Sequence, residues 1–533
     1  MSDKRPTVVN SRDAKILAEA RVEFLRGQVL PAVRKYESLV RNYPNHGPVV
    51  AELAQIYLRI GREREAEPLL VELLQATRPS VNDLRVAASG FRKMGRHRQA
   101  MVALELLVKL PMSTEQSLSF TIELAELAEK NNELEVAQSA VRWLSERGAS
   151  TFSFPYLAGK LAFRQGRWDA ALAHLNHAFE HPTLSMEQRC RVHYAVGKVL
   201  DRLGRFDEAF ENFTAAKAIE RSRAGQERLK AAWMSDLITR VTDELRVRRP
   251  ADSRKSENFG RPLCFLTGHP RSGTTLLEQM LAAHPAVATA DENSAMFQRL
   301  VTPLVFPASG PAVAADSLAL PALSLRDLQV DGVESTRLRD AVAQYRAHLE
   351  WVASDGNPEN YLIDKSPAGL IDLPMIESIL PETRVVVLLR DPRDVCLSCF
   401  QEDFGLNPVS VNFDSLESTA KKIVRDLEFW FAFRATTGLR WLEVHYERLV
   451  TDPESELRRI CQFLNLDWNP AMLTFQEALG QRSIQSPTYA QVVEPISNRA
   501  IGRWKNYRAG FQVAEQVLSD MCQRLGYMRD GAC

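Results

Sequence analysis

Two short stretches carry side chains whose types and spacing suit phosphate chemistry. In the first, the apolar run PLCFLTG (262–268) leads into HPRSGTT and then the helical LLEQMLAAH. A strand, a glycine loop and a helix start in that order aim backbone N–H groups and a helix dipole at an anion. Gly268 and Gly273 stand five apart, the spacing of the nucleotide loop G-x-x-x-x-G-K-[ST]; here Thr274 takes the Lys position, Thr275 follows it, and Arg271 lies inside the loop. A triphosphate held with Mg²⁺ needs that lysine. Hydroxyls and a guanidinium instead suit a phosphate that requires no metal. In the second stretch, RVVVLLRDPRDVCLS (384–398) reads as a buried strand, then Arg390, a turn through Pro392, and a helix carrying Ser398. A guanidinium paired with a hydroxyl fits a dianionic monoester.

These loops need a scaffold, and the rest of the chain supplies two kinds. Over the first half, Gly and Ala recur five apart at Gly27/Ala32, Gly61/Ala66, Gly95/Ala100, Gly166/Ala171 and Gly204/Ala209, with Asn132/Ala137 between them. The steps are 34, 34, 37, 34 and 38 residues. Gly and Asn close helices with positive φ, so each marks a turn between two helices, and the small Ala lets the second helix approach the first. Apolar residues around the turns follow helical spacing, as in Leu53, Ile56, Tyr57 and Ile60. Pro44, Pro79, Pro111 and Pro182 fall between hairpins. Residues 221–247 read as a capping helix and 248–262 as a polar linker.

Composition narrows the function classes. With 533 residues the chain is too long for one core. Lys plus Arg and Asp plus Glu both number 67, so the net charge is zero, which argues against nucleic acid as a partner. No apolar window is long enough for a membrane span, and MSDKRPTVVNSRDAK lacks a signal core. Seven cysteines are too few and too odd for a disulfide framework, so a reducing, cytoplasmic setting is expected. Taken alone, other polar residues have ordinary readings: Glu292 as a helix-dipole partner, Lys365 as a surface lysine, Cys396 and Cys399 as helical thiols on a half-buried face. His269, His284 and His445 read as structural, and 421–433 as an amphipathic helix packed on a core.

The repeat grammar over about residues 11–220 resembles the tetratricopeptide repeat, which implies a solenoid of about six helix hairpins with a concave binding face. PRSGTTLLEQMLAAHP (270–285), followed by the 384–398 stretch, resembles the sulfotransferases that use 3′-phosphoadenosine 5′-phosphosulfate. The closer likeness is to tyrosylprotein sulfotransferases and to bacterial fusions of tetratricopeptide repeats with such a domain. The resemblance implies an α plus α/β chain: repeats at 11–220, a cap and linker at 221–260, and a P-loop-like sulfotransferase domain with a parallel sheet at 261–533. It implies that Arg271, Ser272, Gly273, Thr274 and Thr275 hold the 5′-phosphosulfate and that Arg390 and Ser398 hold the 3′-phosphate. Glu292 matches the catalytic carboxylate, with Asp291 as fallback, and Lys365 the catalytic lysine beside Arg271. Tyr446 matches a tyrosine near the adenine nucleotide, Arg503 a basic residue near the phosphates, and Thr488 a position where the family has serine. The implied activity is metal-free sulfuryl transfer to an acceptor hydroxyl, protein tyrosine being one candidate, on a protein or peptide recruited by the repeats. A P-loop kinase using Asp391 for metal and a non-enzymatic interaction protein are the competing readings.

Overall fold

The computed structural model describes residues 9–147, 151–249, 261–292, 295–305, 323–330, 333–353, 357, 360–477 and 496–527. It divides into two compact units, Met1–Leu157 and Ala158–Cys533.

The first unit is a run of antiparallel helix pairs: α1 (Ser11–Leu25) with α2 (Val29–Asn42), α3 (Gly47–Arg59) with α4 (Glu63–Gln75), α5 (Val81–Lys93) with α6 (His97–Leu107), and α7 (Thr114–Lys130) with α8 (Leu134–Glu146). The turns sit where the Gly/Ala grammar expects them. Gly27, Gly61 and Gly95 have φ of +77°, +72° and +70°, and Asn132 has +62°. Ala32, Ala66 and Ala100 are wholly buried against the partner helix. Ser80 and Ser113 start their helices with reciprocal capping boxes, which satisfy N–H groups that the helix cannot pair internally. The unit is an array of repeated antiparallel helix pairs.

The second unit begins within the same series. After α9 (Ser153–Arg164), which spans the boundary, come α10 (Trp168–Phe179), α11 (Met186–Arg202), α12 (Phe206–Arg223) and α13 (Gly225–Val247). Gly166 and Gly204 repeat the left-handed turn, with φ of +71° and +76°. The pattern change at 260 is therefore no packing boundary: Ala224 and Ala231 bury against Val411, and Arg246 pairs with Glu428 at 2.7 Å.

The remainder is built on a five-stranded, all-parallel sheet in the order β2-β3-β1-β4-β5. The strands are β1 (Leu263–Gly268), β2 (Val287–Asp291), β3 (Tyr361–Pro367), β4 (Arg384–Leu389) and β5 (Arg440–His445). β1 and β4 are near-continuous apolar runs because parallel strands are covered on both faces. On one face Leu277, Met280 and Leu281 of α14 (Thr274–Ala282) pack on Leu266, Ile363 and Val386. The sequence at 421–433 lies in the helix Leu416–Arg434, whose Phe429, Trp430 and Phe433 are buried in the interior as expected. Cys396 and Cys399 differ from their reading: both are fully buried, not half-buried, because the helix Pro392–Phe400 is covered on nearly every side.

Strand order reverses around β1, whose neighbours are β3 and β4. In open α/β sheets the crevice beyond the carboxyl ends of the strands at such a reversal is where ligands bind. Every strand here delivers one of the singled-out residues to that edge: the loop 269–273 after β1, Asp291 and Glu292 at the end of β2, Lys365 near the end of β3, Arg390 after β4, and Tyr446 after β5.

Candidate active site

The glycine loop is compact because its glycines have no room for a side chain. Gly273, the residue before α14, has φ +107°, and a Cβ there would lie 2.5 Å from the Tyr446 ring. A Cβ on Gly268 would meet the Leu388 carbonyl oxygen at 2.6 Å. Arg271 also adopts a left-handed conformation, φ +70°, which a non-glycine residue holds at a cost of about 1–3 kcal/mol. The first-turn N–H groups of α14 have no intrahelical acceptor, so they face the loop's concavity together with Thr274 and Thr275.

Register explains the charged cluster beside that loop. Asp291, Lys365 and Leu266 stand opposite one another on β2, β3 and β1, so Asp291 and Lys365 project to the same side as cross-strand neighbours. Lys365 is completely buried, contrary to its surface reading. Its Nζ donates to Asp291 Oδ1 at 2.7 Å, Glu292 Oε1 at 2.6 Å and Thr275 Oγ1 at 3.1 Å. Burial works against the ammonium, but Asp291, Glu292 and Glu278 outweigh it and hold the Lys365 pKa above its ordinary value. Glu292 is not at a helix start. It lies one residue past β2 with φ +36°, and its N–H donates to the Lys365 carbonyl at 3.1 Å. Its side chain is 30% exposed against 13% for Asp291, so of the two carboxylates Glu292 is the one open to an arriving molecule.

A second cluster lies at the other side of the loop. Arg271 Nε donates to Ser398 Oγ at 3.0 Å, and Arg390 Nη1 donates to the Arg271 carbonyl at 3.1 Å. The Arg390 guanidinium stacks 4.4 Å above the Tyr446 ring. Arg390 Nε and Ser272 Oγ are buried without a hydrogen-bond partner. Buried polar atoms of this kind cost roughly 1–3 kcal/mol each unless something binds them. Thus Arg271, Ser272, Gly273, Arg390, Ser398 and Tyr446 gather in one place, and Thr275, Lys365 and Glu292 gather beside them. Arg503 is separate: its Nη2 pairs with Asp201 of α11 at 2.5 Å, although its chain neighbour Ala500 accepts from Arg390 Nη2 at 2.5 Å. Thr488 lies outside the described residues.

The histidines are structural by their contacts. His284 Nε2 pairs with the Asp467 carbonyl at 2.8 Å, and His445 Nδ1 with the Tyr527 hydroxyl at 3.2 Å. Burial drives the His269 imidazole down to about 4, so it is neutral near pH 7. Among the described residues, no group of three His, Cys, Asp or Glu side chains is placed to hold a metal.

Residue reading missed Glu278, Glu402 and Asp201. Only Glu278 left a signal, as the residue one turn after Thr274 on α14. It is buried, and burial together with nearby Asp291 pushes its carboxyl up to about 7. The unfolded chain releases this proton near 4.5 and the folded chain retains it to about 7, so this group lowers stability as pH rises between those values. Denaturant unfolding across that window should show a shallower pH slope for Glu278→Gln than for the parent protein. An unchanged slope would mean that Glu278 is already ionised at the low end.

The sulfotransferase family matches residues 262–470, which contain all five strands. Protein-tyrosine sulfotransferase 1 of Danio rerio is 29% identical over 276 residues, 51% of this chain and 73% of that protein. The human protein-tyrosine sulfotransferase 1 is 26% identical over 297 residues, covering 53% and 75%. Among solved structures, the sulfotransferase domain of the Synechococcus PCC 7002 olefin synthase is 23% identical with a TM-score of 0.33, covering 52% of this chain and 98% of that one. Residues 262–470, behind the helical repeats, thus carry a match to the sulfotransferase family.

Proposed function

We propose that the protein transfers a sulfuryl group from 3′-phosphoadenosine 5′-phosphosulfate to an acceptor hydroxyl, with a tyrosyl side chain of a protein or peptide as the favoured acceptor. The observation that carries this reading is the position of the Lys365 ammonium, within hydrogen-bond distance of both Thr275 at the head of the glycine loop and the Glu292 carboxylate. One cation thereby links the phosphate end of the site to a solvent-open base. When bound, the donor supplies the sulfuryl group and a phosphate leaving group.

The residues fit such a donor. Ser272 Oγ and Arg390 Nε are buried polar atoms lacking a partner, and the Gly268–Gly273 cradle would be filled by any Cβ. Thr274, Thr275 and the α14 N–H groups fix the 5′-phosphate end. Arg390 and Ser398 grip the 3′-phosphate, while Tyr446 supports Arg390 and offers a ring face near the base. Glu292 takes the proton of the acceptor hydroxyl as its oxygen attacks sulfur. Lys365 and Arg271 stabilise the negative charge that develops on the phosphate oxygen as its bond to sulfur breaks. The chain's own sequence favours a cytoplasmic site of action.

A kinase reading is weaker. Asp391, its candidate metal ligand, has both carboxylate oxygens engaged by Arg393, at 3.0 and 2.7 Å, while also capping the helix that follows.

The test is binding of 3′-phosphoadenosine 5′-phosphate without added metal. At about 100 times its dissociation constant it should add roughly 2.7 kcal/mol of stability, read as a rise in Tm. Arg390→Ala should lose most of the preference for this nucleotide over adenosine 5′-phosphate. A thermal shift with ATP and Mg²⁺ but none with the bisphosphate would overturn the assignment.

A further inference from the structure

We propose that Glu402 is a positioning residue for the Arg271 guanidinium, and that the last repeat hairpin, α11–α12, holds Glu402 in place as part of the donor site. The inference rests on the reading of Arg271 as a donor-binding group.

Glu402 follows the helix Pro392–Phe400 and is 7% exposed. One carboxylate oxygen lies 3.4 Å from Arg271 Nη2, and the other accepts from Lys198 Nζ of α11 at 2.7 Å. Its backbone carbonyl accepts from Lys217 Nζ of α12 at 3.2 Å; that lysine is itself buried and paired with Glu220 at 3.1 Å. Both helices of the hairpin therefore reach the same residue. Burial raises the Glu402 pKa, but Lys198 and Arg271 outweigh it and keep the carboxyl below its usual range, so it stays ionised at neutral pH.

The effect on Arg271 is geometric. Ser398 Oγ meets its Nε and Glu402 meets Nη2, so the planar guanidinium is fixed from two directions on a backbone already held at φ +70°. A bidentate donor gains affinity when its orientation is set before the ligand arrives. The hairpin is firmly seated for this task. Phe210 of α12 lies 5.6 Å from the Phe400 ring, and a Cβ on Gly510 would come within 2.5 Å of Phe210. Lys198 and Asp201 stand three apart on α11 and share a face, from which Asp201 engages Arg503 and the Tyr507 hydroxyl, each at 2.5 Å. One face of a repeat helix thus touches both Glu402, which reaches Arg271 of the phosphate loop, and the segment Arg503–Tyr507.

The experiment is a double-mutant cycle on binding of 3′-phosphoadenosine 5′-phosphate by the full chain, with Arg271→Lys, Glu402→Gln and both together. Glu402→Gln should weaken binding about tenfold, and adding it to Arg271→Lys should change affinity less than twofold, because its effect passes through the guanidinium. Lys198→Met, at a partly exposed position, should weaken binding about threefold in the parent and not at all in Arg271→Lys. It carries the same test if Glu402→Gln unfolds. Purely additive losses, or variants that lower Tm without nucleotide but bind it normally, would overturn the positioning role while leaving the donor assignment intact. Absence of binding by the parent protein would overturn both.

Discussion

Glu292→Gln should lower turnover by about 10²–10⁴ while affinity for 3′-phosphoadenosine 5′-phosphate barely moves. The amide keeps the side chain's length and can still pair with a neighbouring group, but it cannot accept the acceptor's proton. Lys365 retains Asp291 as a counterion in this variant, so its charge and place are kept. Asp291→Asn is the matched control. Asp291 is the more buried carboxylate and faces Lys365 across the sheet, so its loss should act mainly through Lys365 and reduce turnover far less. A nearly normal Glu292→Gln beside an inactive Asp291→Asn would move the base one residue back. Activity in both would remove the carboxylate base from the mechanism altogether.

Lys365→Met should damage the protein twice. The methionine fills the stem's volume but leaves Asp291 and Glu292, with buried Glu278 near them, without the ammonium that now holds the cluster together. Removing one partner of a buried ionic cluster commonly costs on the order of 3–5 kcal/mol. Turnover should fall by at least the amount seen for Glu292→Gln, since the same ammonium serves the leaving group. The sign of the pH dependence is distinctive. A raised lysine pKa contributes stability that is present below its ordinary value of 10.5 and is lost only as pH climbs through the higher folded value. In the variant protons are what can relieve the uncompensated buried negative charge, so its deficit should shrink on acidification. Denaturant unfolding at neutral and acidic pH measures this. A deficit that stays constant with pH would mean that the loss is one of packing alone.

How far the chain could be read without its fold follows the range of the interactions involved. The repeat turns were legible because a left-handed turn is a local demand that Gly or Asn must meet, and Gly27, Gly61, Gly95 and Asn132 meet it. The glycine loop was legible for the same reason, since strand, loop and helix start are consecutive. The strand at 384–389 needed only its apolar run. Roles such as those of Tyr446 and Arg503 rest on resemblance to a family, because no local physical demand marks either residue.

What the sequence alone determined is therefore the repeats, the phosphate loop and the order in which they occur. Tertiary structure decided which charges meet. Lys365 reads as a surface lysine until a parallel register sets it opposite Asp291, 74 residues away. Arg271 meets Ser398 across 127 residues, Glu402 meets Lys198 across 204, and Arg503 meets Asp201 across 302. Cys396 and Cys399 are buried because helices from distant parts of the chain cover theirs. Parallel strands are joined by long crossovers, so side-chain neighbours at their ends are set by sheet order and register, which local propensity does not encode.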